Sequence, residues 1–105
     1  MKSGNIFEQI PENLDEEAFD TLVQSNHLNI ERIVSRGHSS PESGWYNQEQ
    51  NEWVIVLKGE ATIAFENEPP VNLKEGGYLE ITAHKKHKVI KTHKDKETIW
   101  LAVHY

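Results

Sequence analysis

The chain has 105 residues, a length that fits one domain with a single hydrophobic core. Its formal net charge of −6 disfavours nucleic acid as a partner, because phosphate binding needs a concentrated basic surface. The absence of cysteine excludes disulfides and thiolate sites and is typical of proteins in a reducing cytoplasm. No apolar run approaches about 18 residues, so we expect a cytoplasmic protein with no signal peptide and no membrane contact.

The N-terminal segment, residues 1–26, is predicted to contain a short amphipathic helix. Asn13 is a favourable N-cap residue, and Leu14, Ala18 and Leu22 recur every four residues. A helix over about residues 14–24 is too short to be stable alone, so we expect it to pack on the rest of the domain.

Residues 27–105 show the alternation and turn signals of β-strands. The predicted strands are residues 28–35, 53–57, 61–66, 78–82, 87–92 and 98–104, with turns at residues 67–70 and 75–77. Lys58 and Gly59 favour a tight hairpin turn that pairs the second of these strands with the third. Short strands with no helix between them predict an all-β antiparallel sandwich or barrel. The apolar strand 28–35 is expected at a sheet edge, where it would form a homodimer.

Glu52 is the most informative single residue. It shares a predicted strand face with Val54 and Val56, so it heads a face that is otherwise suited to the interior. A carboxylate that points inward needs a metal, a histidine or a bound ligand as its partner.

Two motifs around Glu52 and His87 resemble those of the cupin family. The first cupin motif has two histidines one residue apart, then a glutamate and a glycine, and Glu52 and Gly59 match the last two. Tyr46 and Gln48 stand at the two histidine positions.

The second motif runs from a glycine turn to a third histidine, and Gly76 and His87 match these positions. Thr82 stands where the motif usually has proline, and His84 replaces a turn glycine. The resemblance covers roughly residues 38–105 and is to small single-domain cupins of the cupin 2 type, with an RmlC-like β-barrel.

The resemblance implies a cupin-type antiparallel β-barrel or jelly roll, with the predicted helix packed outside it. In cupins, three histidines and the glutamate commonly hold iron, manganese, nickel or zinc. The matching metal ligands here would be Gln48, Glu52 and His87, with His84 as a further candidate. The family's reactions include isomerisation, decarboxylation and oxygenation.

Three interpretations of the function stay open. In the first, Tyr46, Gln48, Glu52 and His87 line a pocket that binds a small polar ligand, with a divalent metal and metal-assisted chemistry. Glu52 would then be a metal ligand or general base, His87 a ligand or proton shuttle, and Tyr46 a donor that orients the substrate. In the second, the same residues form a metal-free polar cluster in a non-catalytic sensor or binding module. In the third, the chain is an interaction protein whose pocket is vestigial.

The remaining histidines are weaker candidates for the pocket. His27 and His38 are expected on the surface and His93 in an exposed turn. His104 alternates with Trp100 and Ala102 on one strand face, a position from which it could approach the pocket, although a structural role is expected.

Overall fold

The computed structural model describes residues 1–40 and 44–105, and it confirms an all-β fold. The strands are β1 (Ala18–Gln24), β2 (Asn29–Ser35), β3 (Glu52–Lys58), β4 (Ala61–Phe65), β5 (Glu68–Leu73), β6 (Tyr78–Ile81), β7 (His87–Thr92) and β8 (Thr98–His104). These residues contain no helix, and so none that is long and apolar enough to cross a membrane.

The strands form two antiparallel sheets that enclose the main core. One sheet has five strands in the order β1-β2-β8-β3-β6, and the other has three in the order β5-β4-β7. Inward-facing side chains of both sheets pack together between them: Val54, Val56, Ala61, Ile63, Phe65, Leu73, Ile81, Trp100 and Ala102. This two-sheet packing is the jelly-roll arrangement that the sequence predicts.

The predicted helix over residues 14–24 is wrong, because most of that segment is strand β1. β1 pairs antiparallel with β2, from Ala18 opposite Val34 to Gln24 opposite Asn29. A spacing of four residues places side chains on one face of a strand as well as of a helix, so the apolar stripe was ambiguous. Aromatic and β-branched residues at alternate positions favour the strand, and sheet pairing decided the outcome.

The start of this segment nonetheless has the local structure that its sequence indicates. The Oδ1 atom of Asn13 accepts a hydrogen bond from the backbone N–H of Asp15 at 2.9 Å, which makes a turn in place of a helix cap. Leu14 is buried against Val34 and Ile99 in a small second core. The N-terminal segment therefore packs on the domain, as expected, but through a turn and a strand.

The predicted hairpin at Gly59 is also wrong. β3 pairs with β6 and β8, whereas β4 pairs with β5 and β7, so the turn carries the chain from one sheet to the other. Gly59 has a φ of +88°, and a Cβ atom added to it would lie 2.9 Å from the backbone of both Glu97 and Thr98. A glycine is needed here both for its positive φ and for the lack of a side chain.

β5 lies where the sequence predicts a turn. The turn is shorter than expected, with Asn67 at a φ of +65°, and the strand begins at Glu68. Among the strands of the described residues, β5 pairs with β4 alone. Proline has no backbone N–H to donate, so Pro69 and Pro70 are tolerated on such an edge strand.

β2 is an interior strand, contrary to the prediction that residues 28–35 form an edge. It is flanked by β1 on one side and by β8 on the other, so its backbone is not open to a partner. Arg32 in this strand is buried and bonds to the Asp20 carboxylate at 2.7 Å and to the carbonyl oxygens of residues 6, 8 and 9. These bonds fix the N-terminal residues against the sheet.

Candidate functional site

A cavity of about 250 Å³ lies between the two sheets. All four predicted pocket residues line it: Tyr46, Gln48, Glu52 and His87. Further polar side chains at its wall come from Glu17, Glu31 and His104, and apolar side chains come from residues such as Val54, Ile63, Ile81, Val89 and Trp100. The cavity is therefore a mostly apolar pocket with a few converging polar groups, as is usual for small-molecule sites.

Glu52 and His87 face each other across the cavity from opposite sheets. Glu52 is the first residue of β3 and His87 the first residue of β7, and they are 9% and 5% exposed. The Glu52 Oε1 atom lies 3.6 Å from His87 Nε2. A carboxylate and an imidazole this deeply buried strongly interact, because little solvent screens them.

A hydrogen bond at Nδ1 fixes the orientation of the His87 ring. Its Nδ1 atom lies 2.8 Å from the carbonyl oxygen of Lys85. Because a carbonyl can only accept, Nδ1 carries the hydrogen, and Nε2 is left to face Glu52. Burial lowers the pKa of His87, but the Glu52 carboxylate and the Lys85 carbonyl together outweigh it and raise the pKa above its ordinary value.

Tyr46 lies at the mouth of the cavity beside His87. The Tyr46 N–H donates to the His87 carbonyl at 2.8 Å, and the His87 N–H donates to the Tyr46 carbonyl at 3.2 Å. The two ring centroids are 6.0 Å apart, and the tyrosine is 50% exposed. This short β-bridge seats the loop before β3 against the start of β7.

Gln48 contributes an unsatisfied acceptor. Its Oε1 atom is buried and, among the residues that the structure describes, has no hydrogen-bond partner. A buried amide oxygen without a partner is unusual and suggests that a ligand or a metal completes it.

The other candidate histidines lie outside the cavity lining. His84 is exposed, has a φ of +65°, and its Nδ1 atom lies 2.9 Å from Asn47 Oδ1. His27 is exposed, as predicted, whereas His38 is half-buried and accepts a hydrogen bond from the N–H of Arg36. His93 accepts hydrogen bonds from two backbone N–H groups of its own turn.

His104, which was expected to be structural, lines the cavity, and so does Glu31, which the sequence analysis missed. His104 Nε2 lies 3.1 Å from Glu31 Oε1 and 3.8 Å from Glu52 Oε2. The alternation of His104 with Trp100 was a usable signal for an inward position. Glu31 gave none, since its position opposite Ala102 follows from the pairing of β2 with β8.

The donor set for a metal is limited. In residues 1–40 and 44–105, no group of three or more His, Cys, Asp or Glu side chains is arranged to hold a metal ion. The available set is one carboxylate, one imidazole and one amide, from Glu52, His87 and Gln48. This set fits a divalent metal, because Gln48 Oε1 is buried without a partner among the described residues and Glu52 faces His87. Its oxygen ligands suit manganese better than nickel or zinc.

The chain is similar to known cupins. The family model of the cupin domain matches residues 33–104. A proposed mannose-6-phosphate isomerase from Ralstonia eutropha is 40% identical, with a TM-score of 0.95 over 99% of this chain and 97% of that one. A cupin superfamily protein from Desulfitobacterium hafniense is 22% identical, with a TM-score of 0.74 over 90% of this chain and 82% of that one.

A more distant likeness is to the cobalt(II) form of HppE in complex with Tris buffer. The two chains are 17% identical with a TM-score of 0.70, over 85% of this chain and 53% of that one. Comparison with curated proteins finds no match.

Proposed function

Because the chain belongs to the cupin family, we propose that it binds a small polar molecule in the cavity between its sheets, at Glu52 and His87. The observation that carries this proposal is the buried pair of Glu52 Oε1 and His87 Nε2, 3.6 Å apart at the wall of a cavity of about 250 Å³. Burying a carboxylate beside an imidazole costs free energy that a purely structural barrel would avoid with apolar residues. Such a pair in a cavity is therefore a candidate for function.

The divalent metal that many cupins hold would be bound here by Gln48, Glu52 and His87. A bound metal would polarise an oxygen of the ligand as a Lewis acid. The hydrogen bond from His87 Nδ1 to the Lys85 carbonyl supports this assignment, because it turns the Nε2 lone pair toward Glu52.

The chemistry of the residues themselves is proton transfer. Where no metal is bound, Glu52 can accept a proton from a ligand, and His87, whose raised pKa favours the protonated form, can donate one. Tyr46 at the mouth would orient the ligand with its hydroxyl group. An acid and a base on one ligand suit an isomerisation, which agrees with the proposed activity of the Ralstonia eutropha protein.

The cavity is poorly suited to the phosphate group of that protein's proposed substrate. No lysine or arginine from residues 1–40 or 44–105 lines it, and a phosphate needs such a cation or a cluster of backbone N–H donors. We therefore extend the isomerase chemistry, but not the sugar phosphate, to this chain.

A metal-free binding module is the second candidate. The raised pKa of His87 favours an imidazolium facing Glu52, which puts a proton where a metal would otherwise lie. In that case the pocket binds its ligand through hydrogen bonds and charge alone.

Metal analysis separates the two candidates. The purified protein is exposed in turn to iron, manganese, nickel and zinc, and bound metal is measured by mass spectrometry. We expect about one equivalent of manganese in the wild type and much less in Glu52→Gln and His87→Ala. Glu75→Gln, which removes a carboxylate from an exposed turn, is the matched control and should retain the metal.

Two other outcomes are informative. Negligible metal in every protein would support the metal-free module. Equal, stoichiometric metal in every protein would contradict the site assignment and point to histidines such as His84 and His93.

A further inference from the structure

The charges of the cavity lining are unbalanced. Three carboxylates line it, from Glu17, Glu31 and Glu52, together with the imidazoles of His87 and His104. No lysine or arginine of residues 1–40 and 44–105 is part of the lining. Even with both imidazoles protonated, the three ionised carboxylates leave an excess of negative charge. With a divalent cation at Glu52 and both imidazoles neutral, the three carboxylates still leave an excess of negative charge.

The carboxylates are fixed in place by different parts of the fold. Glu31 lies on the interior strand β2 and is bonded to His104 from β8 at 3.1 Å. Glu17 precedes β1 and accepts a hydrogen bond from the hydroxyl of Ser35. Glu52 begins β3. Because strand pairing holds Glu31 and Glu52 and the Ser35 hydroxyl bonds to Glu17, the negative potential is a property of the folded barrel and not of one mobile side chain.

Aromatic side chains complete the lining. Trp100 is only 4% exposed, and its indole N–H has no partner among the described residues. Tyr46 and Phe19 line the same cavity, and both are partly exposed to solvent. Aromatic faces together with carboxylates attract organic cations.

We propose that the ligand of this cavity is a small organic cation, an amine that is protonated at neutral pH. The ammonium group is attracted to the wall that carries Glu31 and Glu17, and the body of the ligand packs against Trp100 and the apolar floor. This inference rests on the proposed ligand binding and names its chemical class. The volume of about 250 Å³ corresponds to roughly eight water-sized groups at ~30 Å³ each, which limits the ligand to a small molecule.

Three probes of the same shape and different charge test the proposal. Benzylamine, benzyl alcohol and benzoate are titrated into the full-length protein after removal of metal with a chelator and dialysis. Binding is followed by NMR at the indole N–H of Trp100, which is assigned with a Trp100→Phe variant. We expect benzylamine to bind at least about tenfold more tightly than benzyl alcohol, and benzoate to bind most weakly.

The variants localise the effect. Glu31→Gln and Glu17→Gln should each reduce the preference for benzylamine over benzyl alcohol, Glu31→Gln by about tenfold. The matched control Glu75→Gln removes the same charge from an exposed turn and should leave the preference unchanged. Two separate variants keep the test valid if one of them does not fold.

The outcomes distinguish this inference from the function on which it rests. If benzoate or benzyl alcohol shifts the Trp100 signal as strongly as benzylamine, the cavity binds ligands but the charge preference is wrong. If no probe shifts that signal up to about 20 mM, both the charge preference and the proposed binding of small molecules are contradicted.

Discussion

Replacing Gly59 by alanine tests the turn that carries the chain between the two sheets. A Cβ atom on Gly59 would lie 2.6 Å from Thr98 Oγ1 and 2.9 Å from both the Glu97 carbonyl oxygen and Thr98 Cα. The left-handed φ of +88° costs alanine about 1–2 kcal/mol. Displacing closely packed backbone adds about 1–3 kcal/mol. The free energy of unfolding should therefore fall by about 2–5 kcal/mol.

Gly76→Ala is the matched control for this experiment. Gly76 has a φ of +82°, but no atom lies within 4 Å of an added Cβ, so only the backbone term of about 1–2 kcal/mol applies. Urea denaturation measures the free energy of unfolding of both variants. In thermal unfolding, each kcal/mol lost should lower Tm by about 4–8 °C in a domain of this size. Equal losses in the two variants would refute the close approach of Gly59 to β8.

Three further predictions concern other parts of the fold. Arg32→Met should lower the free energy of unfolding by about 1–3 kcal/mol, because its hydrogen bonds to the N-terminal carbonyls are lost. Protease cleavage within residues 1–17 should become faster for the same reason, and an unchanged cleavage rate would contradict this. The raised pKa of His87 predicts a stabilising ion pair with Glu52 that is complete below the unfolded-state pKa and is lost as pH rises through the folded-state pKa. NMR titration should therefore show a lower pKa of His87 in Glu52→Gln than in the wild type. Finally, we expect a homodimer formed through the open edge strand β1, where Phe19 and Val23 are exposed. Sedimentation should show a dimer that Val23→Lys dissociates, and a wild-type protein that is monomeric at every concentration would rule it out.

The strands that form the core could be predicted because their length and composition favour a strand. Residues 53–57 and 98–104 are short apolar runs rich in β-branched and aromatic side chains and bounded by polar residues, and both are strands. Residues 14–24 had two interpretations, since a four-residue spacing fits a helix and a strand equally well. Only the pairing of β1 with β2, a contact between segments, decides between them.

The candidate site was predictable to the extent that it follows motif spacing. Tyr46, Gln48, Glu52 and His87 all line the cavity. Glu31 was missed because its inward position depends on strand register, and Glu17 because it lies outside any strand. His104 alternates with Trp100, which indicated an approach to the pocket, but it was expected to be structural. The sheet change at Gly59 was missed for a related reason: a glycine at a turn shows that the backbone bends, but not which strands pair afterward.

The most direct test of the central claim is the location of a bound manganese ion. Manganese(II) is paramagnetic and broadens the NMR signals of nearby nuclei, so a titration of the metal-free protein reports which histidine rings it approaches. The account predicts that the His87 ring broadens first, then His104, while His27 and His93 remain sharp, and that Glu52→Gln abolishes this selectivity. Broadening that begins at His27, His84 or His93 and leaves His87 sharp would contradict the assignment of the site to Glu52 and His87.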